Sequence, residues 1–156
     1  MSKDNIKFLV TLNSEYWDQP PSAEFRINGK TVWGPQEIKE KTVAEFDVDF
    51  EDENEYVFEM IRSGKTDKQV KIENNQIVKD QLLSIENLNI DNVDLGNLIY
   101  EIDFYPEYPE IWYNQQKEEG NTPRSPLRNI TSFGWNGTWK IKLTSPFYLW
   151  LLENLY

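Results

Sequence analysis

The chain contains neither cysteine nor histidine. Without cysteine there is no disulfide, no thiol nucleophile and no thiolate-bound zinc. Without histidine there is no Ser-His-Asp triad, no histidine base and no facial iron triad. An enzyme of this composition would have to use carboxylate pairs or lysine, so the sequence favours a binding protein over a catalyst.

Long apolar runs and positive charge are also scarce. No apolar run approaches the roughly 20 residues that a membrane helix needs, and residues 1–5 lack the apolar core of a signal peptide. We therefore expect cytoplasmic synthesis and no membrane insertion. The net charge of −11 argues against nucleic acid as a partner, because phosphate binding depends on clustered lysine and arginine.

Apolar residues alternate with polar ones through the first half of the chain. The period of two is clear from Ile6 to Leu12, from Ala44 to Phe50 and from Tyr56 to Met60, which predicts three strands. Before the second of these, Asn28-Gly29 provides the two positive φ angles of a type I′ turn and predicts a hairpin over 25–32. This half of the chain is typical of antiparallel β-structure.

The second half repeats the strand pattern with one irregularity. Leu83 and Ile85 lie in one phase, whereas Leu88 and Ile90 lie in the other. A slip of one residue moves side chains to the opposite face of a sheet. The sequence therefore predicts a bulge near Asn87 or a break between two strands.

The last third combines two strand patterns, a long loop and a helix. Alternation over 98–104 and 139–143 predicts the strands, and the irregular stretch 105–136 predicts a loop. Ser145-Pro146 fits a helix N-cap followed by proline, and apolar residues at helical spacing come after it. We predict one domain over residues 1–156: an all-β, antiparallel β-sandwich of jelly-roll type with a short C-terminal α-helix.

Aromatic residues are concentrated near the C-terminus, where the final 57 residues hold 13 of the 22. Rigid rings give a large contact area at low entropic cost. An indole face suits the C–H side of a sugar ring, with polar groups nearby to bond its hydroxyls. The alternative is a core position, which we predict for Trp139 and Trp150 because both fall on apolar phases. The candidate ligand-binding residues lie in or beside the long loop: Trp112, Tyr113, Asn114, Trp135 and Asn136.

The turn at 91–96 is a candidate metal site. Its sequence, Asp-Asn-Val-Asp-Leu-Gly, offers two carboxylates and an amide oxygen, which are groups that calcium prefers. Asp91, Asn92 and Asp94 are the candidate ligands. The same residue types also suit any tight turn, because they satisfy local backbone groups.

A second acidic segment, 42–61, holds eight carboxylates and no basic residue. Asp47 and Asp49 project from the same face of a predicted strand. This pattern predicts either a cation between the two carboxylates or a charged face that resists edge-to-edge pairing.

A carboxylate-pair hydrolase is the enzymatic alternative. Glu101, Asp103, Glu107 and Glu110 border the aromatic loop, and glycosidases use two carboxylates roughly 5 to 10 Å apart. In a chain with 27 acidic residues some pair meets that spacing by chance. We therefore assign no catalytic residues.

The segments 105–112 (YPEYPEIW), 134–139 (GWNGTW) and 145–148 (SPFY) resemble a family of poorly characterised proteins of tailed phages, associated most with marine phages of cyanobacteria. This resemblance implies a phage origin and a place in the virion, so the cytoplasmic synthesis expected above would take place in the host. The strand rhythm, including 25–29 (FRING) and 88–91 (LNID), is similar to calcium-dependent xylan-binding modules. That second resemblance implies a jelly roll that holds sugar hydroxyls through a calcium ion.

The prediction that follows is a non-catalytic, phage-encoded binding module that recognises carbohydrate through loop aromatics, with calcium as the cofactor that the second resemblance implies. The alternative is a virion structural or assembly protein. Such a protein would dock another subunit through its aromatic surface and the helix predicted from Phe147 to Tyr156, since exposed apolar patches also mark protein interfaces.

Overall fold

A computed structural model describes residues 3–51, 53–66 and 71–155. These residues form twelve strands, two α-helices and a 3-10 helix at Gly96–Glu101. In this part of the chain no helix has the length and apolar character needed to cross a membrane. The strands and α-helices are β1 (Lys3–Glu15), β2 (Ser22–Ile27), β3 (Lys30–Glu37), β4 (Thr42–Glu51), β5 (Glu55–Ser63), β6 (Lys71–Glu73), β7 (Gln76–Lys79), β8 (Leu82–Ile90), β9 (Val93–Asp94), β10 (Asp103–Pro106), α1 (Glu110–Glu118), β11 (Ser132–Phe133), β12 (Gly137–Thr144) and α2 (Phe147–Leu155).

The strands form an antiparallel β-sandwich. One sheet has the order β11-β8-β1-β4, with β9 beside β8, and the other has the order β10-β12-β5-β2-β3. Strands β6 and β7 pair only with each other among the described residues. The predicted fold class, an all-β jelly-roll sandwich with a short C-terminal helix, is confirmed.

Alternating residues of both sheets fill the core. Phe8 of β1 stacks on Phe46 and Phe58, with ring centroids 5.1 and 5.2 Å apart, and Phe25 of β2 stacks on Phe58 at 5.7 Å. Stacked and tilted aromatic pairs add to the stabilisation that burial of their area provides. Trp139 and Trp150 are both buried, as their apolar phases predict.

Two local predictions about the strands are confirmed. Asn28 and Gly29 have φ angles of 50° and 79°, so the β2–β3 hairpin turns as the Asn-Gly signal requires. In β8 the pairing with β1 shifts from Asn87 opposite Thr11 to Ile85 opposite Leu12. Glu86 is the extra residue, and β8 is one bulged strand rather than two.

Two other predictions are wrong. The segment 98–104 is not a strand throughout: it begins in the 3-10 helix and only its last residues belong to β10. The reason is that the neighbours Leu98 and Ile99 are both buried, whereas adjacent side chains of a strand point to opposite faces. The segment 105–136 is not a continuous loop, because α1 lies within it. Polar residues dominate that helix, so it carries no apolar stripe.

The sandwich has two ends that carry different loops. At one end β1 finishes opposite the start of β8, with Glu15 paired to Leu82, and β5 finishes opposite the start of β2, with Ser63 paired to Ser22. There β10 also finishes opposite the start of β12. We call this the aromatic end. The turn 91–92, after β8, belongs to the opposite end.

Candidate functional site

Four aromatic side chains form a cluster at the aromatic end of the sandwich. The Trp112 and Trp135 ring centroids lie 4.7 Å apart, and Tyr108 lies 5.1 Å from both indoles. Tyr113 is 6.4 Å from Tyr108. Each of the four residues is half-buried, so the cluster has a packed side and a side open to solvent. We call Tyr108, Trp112, Tyr113 and Trp135 the aromatic cluster.

Helix α1 presents two of these rings. It begins directly after Pro109, whose carbonyl accepts a hydrogen bond of 2.9 Å from the Tyr113 backbone N–H. Proline fixes φ and suits the entry to a helix. Trp112 and Tyr113 are half-buried, whereas Ile111 on the same turn is 77% exposed. The helix therefore turns its two aromatic residues toward the sandwich.

Tyr108 ties the cluster to the following loop. Its hydroxyl donates to the backbone carbonyl oxygen of Arg124 at 2.5 Å. Burial raises the pKa of the Tyr108 hydroxyl, since the charged form loses solvation. The ring is therefore a neutral, fixed platform between α1 and the 121–126 loop.

Trp135 is held by a lysine that is far away in the sequence. The Lys65 Nζ atom lies 5.5 Å from the Trp135 ring centroid, a cation–π geometry. The same ammonium group pairs with Asp80 Oδ1 at 2.6 Å and donates to the Gly134 carbonyl oxygen. The Lys65 side chain is only 11% exposed. Its position is consequently fixed beneath the indole.

Asn136 connects this lysine to the strand that follows Trp135. Its Oδ1 atom accepts from the Lys65 backbone N–H at 3.0 Å and from Arg62 Nη1 at 2.9 Å, and its Nδ2 atom donates to the Lys65 carbonyl at 2.9 Å. The amide thus makes three hydrogen bonds to two residues, Arg62 and Lys65. Asn136 therefore holds the chain at Trp135 in place against Lys65 and Arg62.

A buried arginine completes this arrangement. Arg62 is 1% exposed, and its Nη2 atom donates to the Gln81 carbonyl oxygen at 2.8 Å. Burial lowers the pKa of Arg62 to about 10, and the Asp80 carboxylate opposes that change. Asp80 thus stands near two cations, Lys65 and Arg62. The guanidinium remains charged at neutral pH.

We expect Asn136→Ala to lower the stability of the protein. The change leaves Arg62 Nη1 and the Lys65 backbone groups without their partner, and an unpaired buried polar group costs about 1–3 kcal/mol. For a domain of this size that is a fall in Tm of roughly 2–4 °C per kcal/mol. The matched control is Asn114→Ala on the exposed side of α1, which should melt with the wild type. Equal Tm values for both variants would show that the Asn136 hydrogen bonds to Lys65 and Arg62 do not stabilise the fold.

The structure places three of the predicted ligand-binding residues in one cluster, with the two asparagines next to it in the chain but outside the stacked rings. Trp112, Tyr113 and Trp135 share the cluster. Asn114 is exposed on α1, and the Asn136 amide faces the protein. No sequence pattern pointed to Lys65, which lies 71 positions from Asn136. Tyr108 belongs to the aromatic segment 105–112, but its contact with both indoles was not predicted from the sequence. Whether these residues bind a ligand stays a prediction.

The candidate metal residues lie at the opposite end of the sandwich. Asp91 and Asn92, with φ angles of 53° and 68°, form the turn between β8 and β9. The Tyr148 hydroxyl donates to Asp91 Oδ2, which raises the pKa of Tyr148. The Asp94 carboxylate accepts from the Gly96 N–H at 2.8 Å. Both carboxylates are therefore engaged with protein donors.

No group of three or more acidic, histidine or cysteine side chains arranged to hold a metal ion occurs within 3–51, 53–66 and 71–155. Two engaged carboxylates fall short of the six to eight oxygens that calcium takes. At Asp47 and Asp49 the position between the carboxylates is filled by the Asn5 amide, whose Nδ2 atom donates to both at 2.9 Å. A metal at the 91–94 turn stays a prediction.

The acidic residues of the hydrolase alternative lie at the surface or beside a basic residue. Asp103 lies opposite Lys140 on the neighbouring strand and 3.8 Å from Arg128 Nε. Glu101, Glu107 and Glu110 are exposed. These positions are typical of charged surface residues.

Comparison with known proteins places the fold but no family. No protein-family model matches the sequence, and no curated protein matches it significantly. The fold is similar to the selenomethionine form of vCBM60, from work on two families of calcium-dependent carbohydrate-binding modules linked by circular permutation. The TM-score is 0.50 and the identity 7%, over 86% of this chain and 88% of that chain. A vCBM60 complex with galactobiose has a TM-score of 0.49, 9% identity and coverage of 86% and 95%.

Proposed function

We propose that this chain is a non-catalytic module that binds carbohydrate at the aromatic cluster. The observation that carries the proposal is the cluster of four half-buried residues centred on Trp112 and Trp135, whose ring centroids lie 4.7 Å apart. Helix α1 and Lys65 fix the positions of these rings. The protein therefore loses little side-chain entropy when a ligand binds to them. The fold of vCBM60, described as a carbohydrate-binding module, supports the same reading.

The cluster offers both kinds of contact that a sugar needs. Its exposed ring surfaces suit the apolar C–H faces of a pyranose. A charged group lies beside them: Lys117 Nζ is 5.8 Å from the Tyr113 ring centroid. Sites of this kind combine an apolar surface with a small number of polar groups that fix orientation.

Calcium is a separate part of this proposal, and we propose that binding at the aromatic cluster does not require it. We expect glycan binding at the aromatic cluster to be unchanged when calcium is replaced by a chelator, because the candidate metal turn lies at the opposite end of the sandwich. The measurement is a glycan array probed twice, once with calcium and once with chelator. Binding that disappears with chelator and with Asp91→Asn would instead assign a calcium-dependent site to the 91–94 turn.

A second candidate function is docking to another protein subunit. Helix α2 buries Phe147 and Trp150, yet Leu149 and Leu152 on its other side are 57% and 58% exposed. An exposed apolar face of this kind suits a protein interface. Deletion of the helix would remove core residues and would therefore report on stability alone. The double variant Leu149→Ser, Leu152→Ser changes only exposed residues, so it is the better test of docking. Absence of binding to every glycan on the array would favour this function.

We further propose, from the sequence resemblance, that the protein is phage-encoded and associated with the virion. From the length and residue patterns we propose that it is made in the host cytoplasm and that residues 1–156 are one domain. Mass spectrometry of purified particles from an infected culture would detect the chain if it is a virion component. Its presence only in the lysate supernatant would contradict that placement.

A further inference from the structure

A second exposed aromatic group lies at the same end of the sandwich as the aromatic cluster. Trp17 is 44% exposed and is the most exposed of the six tryptophans. Tyr16 beside it is 37% exposed, and its hydroxyl donates to the Lys39 carbonyl oxygen at 3.1 Å. An exposed indole is uncommon enough to mark a recognition surface, since tryptophan is highly buried on average.

The topology explains why Trp17 belongs to this end. It follows β1, which finishes where β8 begins, with Glu15 opposite Leu82. The residues directly before β8 are Asp80 and Gln81. Asp80 accepts from Lys65 Nζ at 2.6 Å, and Lys65 also lies under Trp135. The Lys65–Asp80 ion pair therefore connects Trp135 with the start of β8, which lies opposite the end of β1 and so close to Trp17 in the fold.

Hydrogen bonds fix the Trp17 loop to that same ion pair. Gln81 is fully buried, and its Nε2 atom donates to the Gln19 carbonyl at 2.8 Å and to the Gly64 carbonyl at 3.2 Å. Its backbone N–H donates to Asp80 Oδ1 at 2.7 Å. Lys79, directly before Asp80, places its Nζ atom 5.1 Å from the Trp17 ring centroid. The loop is thereby held in a fixed position beside Asp80.

We infer that Trp17 is a second sugar-binding position, and that the ligand is an extended polysaccharide chain rather than a single terminal sugar. This inference rests on the proposed function of the aromatic cluster. Lys65 lies beside the Trp135 ring and pairs with Asp80, and Lys79, directly before Asp80, lies beside the Trp17 ring, so one charged segment joins two apolar platforms. A polysaccharide chain alternates apolar C–H faces with hydroxyl edges in the same way, and one linked ligand engages both positions at high effective concentration.

The test is affinity as a function of ligand length. Wild type, Trp17→Ala and Trp135→Ala are titrated by calorimetry with galacto-, xylo- and manno-oligosaccharides from disaccharide to octasaccharide. We expect wild-type affinity to rise with length. Trp17→Ala should lose about tenfold on the longest ligand and little on the disaccharide, as loss of one aromatic contact predicts, whereas Trp135→Ala should weaken binding at every length. Trp17→Phe should retain most of the gain.

The outcomes separate this inference from the proposed function. If Trp135→Ala weakens binding while Trp17→Ala matches the wild type at every length, the aromatic cluster is the whole site and the inference is wrong. If none of the three oligosaccharide series binds, the proposed function and the inference fail together. Tyr100→Ala, which removes a 43% exposed ring on the 3-10 helix, is the control for general loss of surface aromatic area.

Discussion

Replacing Trp112 and Trp135 with alanine together is expected to abolish glycan binding by a protein that remains folded. The two indoles form the centre of the aromatic cluster, and truncation of a central aromatic contact residue typically costs about 2 kcal/mol or more. Each 1.4 kcal/mol is about tenfold in affinity. Loss of both rings should therefore lower the association constant by roughly a thousandfold, beyond detection for a ligand of micromolar affinity.

Calorimetric titration of the best ligand from the array measures this effect. Trp112→Phe and Trp135→Phe serve as conservative variants, because they keep a ring in place and should retain part of the affinity. Tyr100→Ala is the matched control for an exposed aromatic residue outside the cluster. Wild-type affinity in the folded double alanine variant would move the site elsewhere on the molecule.

Replacing Gly137 with alanine is expected to cause the largest loss of stability. A Cβ atom at this position would lie 2.8 Å from both Phe104 Cζ and Pro106 Cα, and closer still to the Tyr105 carbonyl oxygen. Two of these atoms are backbone atoms of β10, which pairs with β12 at this point. They cannot move aside without separating the strands, so the cost should reach or exceed the roughly 3 kcal/mol upper range of overpacking.

The expected fall in Tm is roughly 6–12 °C, at about 2–4 °C per kcal/mol for a domain of this size. Thermal unfolding followed by circular dichroism measures it. Gly134→Ala is the matched control in the same loop: its Cβ would meet Leu82 Cδ2 at 3.3 Å, the end of a flexible side chain that can shift. A Gly137→Ala variant that melts together with the Gly134→Ala variant would refute the close approach of β10 and β12.

The β6–β7 hairpin was not predicted from the sequence. Its residues Ile72 and Ile77 face each other across the two strands and are 62% and 64% exposed. Asn74 and Asn75 both have positive φ angles, which is the turn signal that asparagine permits. The apolar side chains of this hairpin are exposed, and its alternating pattern is too short to tell the two strands from a loop by sequence.

The sequence by itself determined the features that depend on near neighbours. The alternation from Ile6 to Leu12 is a strand because successive side chains point to opposite faces. Asn28-Gly29 is a hairpin turn because both residues tolerate positive φ. The phase change around Asn87 is a bulge, and the apolar spacing after Pro146 is a helix, because each periodicity reflects local backbone geometry.

Only the tertiary structure decided where these elements meet. Lys65, Asp80 and Trp135 come together because β5, β8 and β12 begin or finish at one end of the sandwich, and no local pattern encodes a contact across 70 residues. The same topology places the 91–94 turn at the opposite end, so the two candidate sites lie apart. Strand pairing between distant segments sets such positions, and it follows from the packing of both sheets around one core.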